Sequence, residues 1–102
     1  MAFQSKYQSE QLDRLFEAIL ALDDSEDCYR FFEDICTSGE ITALAQRFEV
    51  AEMLHRECTY QEIAEKTGAS SATISRVKRF LNYGADGYMR ILGRLSAEKR
   101  EE

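Results

Sequence analysis

Side chains that could contact a nucleic acid are concentrated in one short stretch of the chain, residues 59–81, with the sequence TYQEIAEKTGASSATISRVKRFL. Four small side chains follow one another at a predicted helix start, where hydroxyls can hydrogen-bond to base edges and methyl groups can touch thymine. These four are Ser70, Ser71, Ala72 and Thr73. The predicted contacts to phosphates or to further base edges are Gln61, Ser75, Lys78 and Arg79. The pattern predicts that the helix over residues 70–81 enters the major groove of double-stranded DNA.

A second interpretation of the same stretch is a helical hairpin with a solvated polar face that mediates only protein contacts. The distribution of charge bears on this choice, because the whole chain has a formal net charge of −6. Residues 1–57 hold 13 acidic and 5 basic side chains, whereas residues 58–95 hold 3 acidic and 6 basic ones. The stretch is therefore locally positive within an acidic chain, which favours DNA as its partner. The acidic balance of the whole chain favours a scaffold dimer without DNA binding.

The elements that must position these side chains are two short helices joined by a tight turn. Thr59 and Glu62 have the spacing of a capping box, in which the hydroxyl and the carboxylate each accept a backbone N–H at the helix start. Gly68 stands where the turn between the helices benefits from a positive φ. The residues predicted to pack one helix against the other are Ile63, Ala64, Ile74 and Val77. This spacing predicts a helix-turn-helix over residues 59–81.

The rest of the chain has helical periodicity, without proline and without a convincing alternating pattern. Further helices are predicted at about residues 9–22, 26–36, 40–56 and 86–95. The predicted fold class is therefore all-α. At 102 residues the chain is long enough for one domain, which we expect over residues 1–95. Residues 96–102 are expected to form a flexible charged tail.

The first two predicted helices carry more apolar side chains than one-sided burial against a small monomer core requires. The set is Leu15, Phe16, Ile19, Leu20, Phe31, Phe32 and Ile35. A large apolar surface on a domain of this kind usually binds a partner, and a homodimer is the simplest closed arrangement. The alternative is that these side chains pack within one chain.

Other classes of chemistry lack the residues they need. His55 is the single histidine, so with Cys58 it supplies at most half of a zinc site, and no metal is predicted. No nucleophile motif and no phosphate-binding glycine motif is present, so we expect neither an enzyme nor a cofactor. The three cysteines, without CxxC spacing, predict buried thiols in a cytoplasmic protein. Neither a membrane span nor a signal peptide is predicted.

Residues 43–77 resemble the core of the Trp repressor-like family, and most closely its YerC/YecD type. The resemblance is carried by ALxxR ending at Arg47, by Glu62–Ile63, and by GAxxATIxR over Gly68–Arg76. It implies a six-helix fold and an intertwined homodimer with two DNA-reading heads. It further implies a transcriptional regulator of the repressor type.

The same resemblance assigns a candidate ligand pocket. Arg47 and Arg76 match the two arginines that hold bound tryptophan in the type member of the family. Val77 and Phe80 depart from that member, which has a glycine and a serine at these positions, and we expect them to remove both the room for the ring and a polar partner for the ammonium group. Tryptophan binding is therefore not expected. The arginines would either receive another anionic metabolite or pair with carboxylates such as Glu49 or an acid of the partner chain.

Overall fold

The computed structural model describes residues 3–101 of the chain, and the regular secondary structure in that range consists of α-helices. The six helices are α1 (Glu10–Leu20), α2 (Ser25–Ile35), α3 (Ser38–His55), α4 (Tyr60–Thr67), α5 (Ser71–Tyr83) and α6 (Gly87–Glu101). No strand occurs among the described residues, and the predicted all-α fold class is confirmed. No helix in residues 3–101 is long and apolar enough to cross a membrane.

The first three helices begin and end close to their predicted positions, and the last one begins close to its predicted start but ends later. The sequence predicted its end near Leu95, whereas α6 continues to Glu101, so the predicted end is wrong. After Gly93 the chain contains no glycine or proline, and its alanine, glutamate, lysine and arginine residues all favour a helix. Residues 96–101 thus extend α6, and Glu102 lies outside the described residues.

Contacts group the chain into two compact units that divide between Thr37 and Ser38, where the sequence favoured one domain over residues 1–95. The N-terminal unit contains α1 and α2, and the C-terminal unit contains α3 to α6. All buried apolar side chains among the described residues belong to the C-terminal unit. The division follows from this distribution, because only the second unit has a core of its own.

The N-terminal unit consists of two capped helices whose apolar side chains remain accessible. Ser9 caps α1 by accepting the Leu12 N–H at 3.1 Å, and Asp24 caps α2 by accepting the Asp27 N–H at 2.9 Å. Neither helix has a buried side chain, and Leu20 is 84% exposed. The apolar excess predicted for these helices therefore lies at the surface of the single chain.

The three cysteines are free thiols. Cys36 and Cys58 are partly buried, whereas Cys28 on α2 is exposed. The prediction that the thiols are buried is wrong for Cys28, because the N-terminal unit contains no core that could cover it.

The core of the C-terminal unit holds the helix-turn-helix against α3. Packing joins α3 to α4 and α5, α4 to α5, and α5 to α6. The buried cluster consists of Val50, Ala51, Met53, Ile63, Ala69, Ile74 and Val77. Within this cluster Val50, Ile63 and Ile74 are fully buried, one from each of α3, α4 and α5. Because each helix buries such a residue, the angle between α4 and α5 is fixed from within the core.

Candidate nucleic-acid interface

The first helix of the helix-turn-helix, α4, begins with the predicted capping box. The Thr59 hydroxyl accepts the Glu62 N–H at 3.1 Å, and the Glu62 carboxylate accepts the Thr59 N–H at 2.8 Å. Hydrogen bonding of the carboxylate, first to the Thr59 backbone and then to the Thr59 side chain, lowers the pKa of Glu62 below its ordinary value. The charged carboxylate therefore stabilises the start of α4, as the sequence predicted.

The turn between α4 and α5 is fixed by hydrogen bonds as well as by a glycine. Gly68 ends α4 in the left-handed conformation with φ of 74°, as predicted. The Thr67 hydroxyl donates to the Ile63 carbonyl at 2.7 Å and accepts the Ala69 N–H at 3.1 Å. The amide of Gln46 on α3 donates to the Thr67 carbonyl at 3.2 Å. Sequence reasoning missed both residues: the hydroxyl bonds of Thr67 are local, whereas the contact of Gln46 depends on the packing of α3 against the end of α4.

The start of α5 divides the four small predicted contact residues into two pairs. Ser70 is the N-cap of α5: its hydroxyl accepts the Thr73 N–H at 3.1 Å and donates to the Thr73 hydroxyl at 3.1 Å. Thr73 is partly buried, whereas Ser71 and Ala72 are exposed in the first turn. The hydroxyls of Ser70 and Thr73 therefore take part in the cap of α5, and Ser71 and Ala72 are accessible beside them. Contact of any of the four with DNA stays a prediction.

The other predicted contact residues, Gln61, Ser75, Lys78 and Arg79, are all exposed. Ala72 and Arg79 lie seven positions apart on α5 and so share a side opposite the buried Ile74. Lys78 lies towards α4, with its Nζ 5.7 Å from the centroid of the Tyr60 ring. Gln61 on α4 is exposed and donates to the Glu65 carboxylate at 3.3 Å.

Tyr60 is a residue of this surface that sequence reasoning missed. It is the first residue of α4, it is 37% exposed, and its hydroxyl lies 3.5 Å from the Ser75 hydroxyl. Fifteen positions separate the two residues in sequence, so no local pattern could have connected them. The only local signal is an aromatic residue between the cap Thr59 and Gln61.

Arg47 and Arg76, the residues of the candidate ligand pocket, line an open cleft of about 470 Å³. Its lining residues are Ala43, Gln46, Arg47, Thr73, Arg76, Val77, Phe80 and Tyr88. Val77 is only 3% exposed and belongs mainly to the core, whereas Phe80 is 52% exposed. The expectation that these two side chains remove the room for a tryptophan ring stays a prediction. No lining residue is acidic.

The two arginines of the cleft form no salt bridge with another described residue. Within residues 3–98 the salt bridges are Arg14–Glu17 and Arg30–Glu26, both on exposed surfaces of the N-terminal unit. The predicted pairing of Arg47 or Arg76 with Glu49 is therefore not formed in this chain. Among the described side chains no group of three or more metal-ligating residues could hold a metal ion.

Comparison with known proteins identifies the family. The family model described as Trp repressor protein matches residues 10–96. The uncharacterized protein YerC of Bacillus subtilis (strain 168) is 55% identical over 96 residues, which cover 94% of this chain and 92% of YerC. The crystal structure of a TrpR-like protein from Eubacterium eligens ATCC 27750 superposes with a TM-score of 0.87 at 58% identity, covering 89% of this chain and 94% of that one. The crystal structure of a putative Trp repressor from Staphylococcus aureus superposes with a TM-score of 0.86 at 50% identity, covering 89% of this chain and 91% of that one. The resemblance inferred from the sequence is confirmed.

Proposed function

Because the chain belongs to the Trp repressor family, we propose that it is a sequence-specific DNA-binding transcriptional regulator of the repressor type. The observation that carries the proposal is the start of α5, where Ser71 and Ala72 are exposed on a helix held rigidly against the core. A helix N-terminus with small side chains can approach base edges closely in the major groove. The cap by Ser70 fixes the direction in which that turn points.

The charge of α5 supports DNA as the partner. This helix carries three basic side chains, Arg76, Lys78 and Arg79, and no acidic one. None of the three forms a salt bridge with another described residue. Their positive charge therefore remains available for phosphates, and binding should weaken steeply with added salt because counterions are released.

The proposed functional form is a homodimer. Apolar side chains of both units remain exposed in the single chain, among them Phe16, Leu20, Ile35 and Leu44. A second copy would cover such a surface without requiring another protein. Two heads related by a two-fold axis would then read half-sites about one helical turn, roughly 34 Å, apart.

The proposal is tested by selecting bound fragments from genomic DNA and from random duplexes. We expect an enriched motif with two similar half-sites. Against that motif, Lys78→Ala and Arg79→Ala should each weaken binding and reduce the slope of log Kd against log salt by about one. Arg14→Ala, which removes an exposed basic side chain from α1, is the matched control and should leave the slope unchanged.

Two results would contradict the proposal. If no motif is enriched and no salt-sensitive binding is measured, the chain is a scaffold dimer that kept the fold without DNA binding. If the motif is bound with the same affinity and salt slope by the Lys78 and Arg79 variants, the assignment of these residues is wrong.

A second candidate function is favoured by the cleft beside Arg47 and Arg76. Neither arginine has a salt-bridge partner among the described residues. They line a cleft of about 470 Å³ that has no acidic lining residue, and such a cleft suits an anionic metabolite. The chain would then be a regulator that senses a ligand other than tryptophan. A screen of anionic metabolites by thermal shift, repeated on Arg47→Ala, tests this: a stabilising ligand should lose its effect in the variant.

A further inference from the structure

Tyr60 brings together two residues of α5 that are predicted to contact DNA. Its hydroxyl lies 3.5 Å from the Ser75 hydroxyl, and the Lys78 Nζ lies 5.7 Å from the centroid of its ring. Ser75 and Lys78 are three positions apart and so lie on one side of α5. The side chain of Tyr60 therefore reaches from the start of α4 to the middle of α5.

The separation of the two hydroxyls leaves them able to share an acceptor. A direct O–H···O hydrogen bond is usually about 2.7–2.8 Å long, so at 3.5 Å the contact between Tyr60 and Ser75 is weak. Two hydroxyls at this distance can both turn towards a single oxygen placed between them. A phosphate oxygen is such an acceptor, and tyrosine and serine hydroxyls are common donors to DNA phosphates.

The ring of Tyr60 restricts the third donor, Lys78. An ammonium group within about 6 Å of a tyrosine centroid is attracted to the face of the ring. Both residues line a cleft of about 340 Å³, where the acidic lining residue is Glu57. No salt bridge joins Lys78 and Glu57, which are both described. The ammonium group therefore lies near the face of the Tyr60 ring and forms no salt bridge with a described carboxylate.

We propose that Tyr60, Ser75 and Lys78 form one binding site for a DNA backbone phosphate, in which Tyr60 both donates a hydrogen bond and positions Lys78. The inference rests on the proposed DNA-binding function. It agrees with helix-turn-helix docking, in which the first helix of the motif crosses the DNA backbone while the second lies in the groove. It also narrows the predicted contact of Ser75, which was to a phosphate or to a base edge, to a phosphate.

A double-mutant cycle tests the positioning role. The affinity of a selected duplex is measured for the wild-type protein, Tyr60→Leu, Lys78→Ala and the double variant. We expect Lys78→Ala to weaken binding by about 10-fold in the wild-type background and by clearly less in the Tyr60→Leu background, because the lysine is no longer held. An equal effect in both backgrounds would overturn the positioning role.

Tyr60→Phe separates the hydroxyl from the ring and keeps the test independent of any folding defect of Tyr60→Leu. It should weaken binding about 3- to 10-fold, in the range expected for one hydrogen bond, while the effect of Lys78→Ala stays as in the wild type. The loss should be uniform across operator variants, since a phosphate contact carries no sequence information. Unchanged affinity in Tyr60→Phe would overturn the phosphate contact.

The NMR shift of the Lys78 ε-methylene protons gives a readout in the absence of DNA. We expect ring-current-shifted signals in the wild type and in Tyr60→Phe, and ordinary positions in Tyr60→Leu. Tyr7→Leu is the matched control, because Lys6 lies 5.2 Å from the Tyr7 ring in the N-terminal unit. It should leave the coupling between Tyr60 and Lys78 unchanged.

If the wild-type protein shows no salt-dependent DNA binding, the proposed function fails and this inference fails with it. If it binds but shows no coupling, only this inference fails.

Discussion

Gly68 takes a left-handed backbone conformation, with φ of 74°, at the end of α4. A Cβ added there would meet no atom within 4 Å, so the requirement for glycine is conformational and not one of space. We expect Gly68→Ala to lower the free energy of unfolding by about 1–2 kcal/mol, the usual cost of this conformation for a residue with a side chain. Urea denaturation at a fixed protein concentration measures the change.

Gly93→Ala is the matched control for this substitution. Gly93 lies inside α6, and its added Cβ would also meet no atom within 4 Å. A helical position favours alanine over glycine, so this variant should gain about 0.5–1 kcal/mol. If both variants lost the same free energy of unfolding, the cost of Gly68→Ala would come from the added methyl group and not from the backbone conformation.

The prediction against tryptophan concerns the cleft beside Arg47 and Arg76, which Val77 and Phe80 also line. The ammonium group of an amino acid needs an acceptor, and Phe80 offers none where the type member of the family has a serine. Isothermal titration with L-tryptophan should show no saturable micromolar binding. The variant Phe80→Ser tests the cause. Tryptophan binding that appears only in this variant would show that Phe80 is what prevents binding. Tryptophan binding by the wild type would contradict the prediction.

The residues predicted correctly from sequence act over short distances. Thr59 with Glu62, and Gly68 alone, are fixed by hydrogen bonds and backbone conformation within one turn, which sequence spacing reports directly. Apart from the local bonds of the Thr67 hydroxyl, the contacts that were missed join distant positions. Gln46 reaches Thr67 across 21 residues and Tyr60 reaches Ser75 across 15, and such pairs depend on how helices pack.

At the scale of the element, the first turn of α5 has to be capped and also presented to a partner. Ser70 performs the first task, since its hydroxyl bonds the Thr73 N–H, and Ser71 is placed for the second. We expect Ser70→Ala to lower the free energy of unfolding by about 1 kcal/mol. Ser71→Ala should leave stability nearly unchanged and instead weaken binding to the selected motif at one base position. Urea denaturation and binding to operator variants measure the two effects.

The pair serves as its own control, because both substitutions remove one serine hydroxyl from neighbouring exposed positions. Equal losses of stability would contradict the assignment of the cap to Ser70. Equal changes in base preference would restore Ser70 to the reading surface that the sequence predicted.

Helix existence was predictable from periodicity throughout, but the extent of α6 was not. The charged residues after Leu95 suggested a solvated tail, yet charged side chains with high helix propensity extend a helix already begun. A charged composition indicates that a segment is solvated, but it does not indicate where a helix ends. A helix ends where a residue interrupts the helical backbone conformation. Gly68 is such a residue at the end of α4.

At the scale of the whole molecule, the net negative charge lies in one unit and the buried apolar core lies in the other. Residues 1–37 hold nine acidic and three basic side chains, whereas residues 38–102 are balanced, with ten of each. The net negative charge therefore belongs to the unit that has no core, and the basic helix α5 belongs to the other. An acidic protein can bind DNA under these conditions, because short-range contacts depend on local and not on total charge.

The exposed apolar side chains of α1 lead to a prediction about assembly. Leu20 is 84% exposed in the single chain, and in the proposed homodimer it would be buried against a second copy. We expect Leu20→Glu to convert the dimer to a monomer, because an unpaired carboxylate is costly to bury in an apolar interface. Sedimentation equilibrium measures the assembly, and affinity for a two-half-site duplex should fall with it.

Gln11→Glu adds the same carboxylate to the same helix nine positions away, which places it on the opposite side of α1 from Leu20. We expect this variant to remain a dimer and to bind DNA like the wild type. A dimeric Leu20→Glu variant would remove α1 from the interface. A monomeric variant that still bound the two-half-site duplex with full affinity would separate DNA reading from dimerisation. In that case the spacing of half-sites by one helical turn would lose its physical basis.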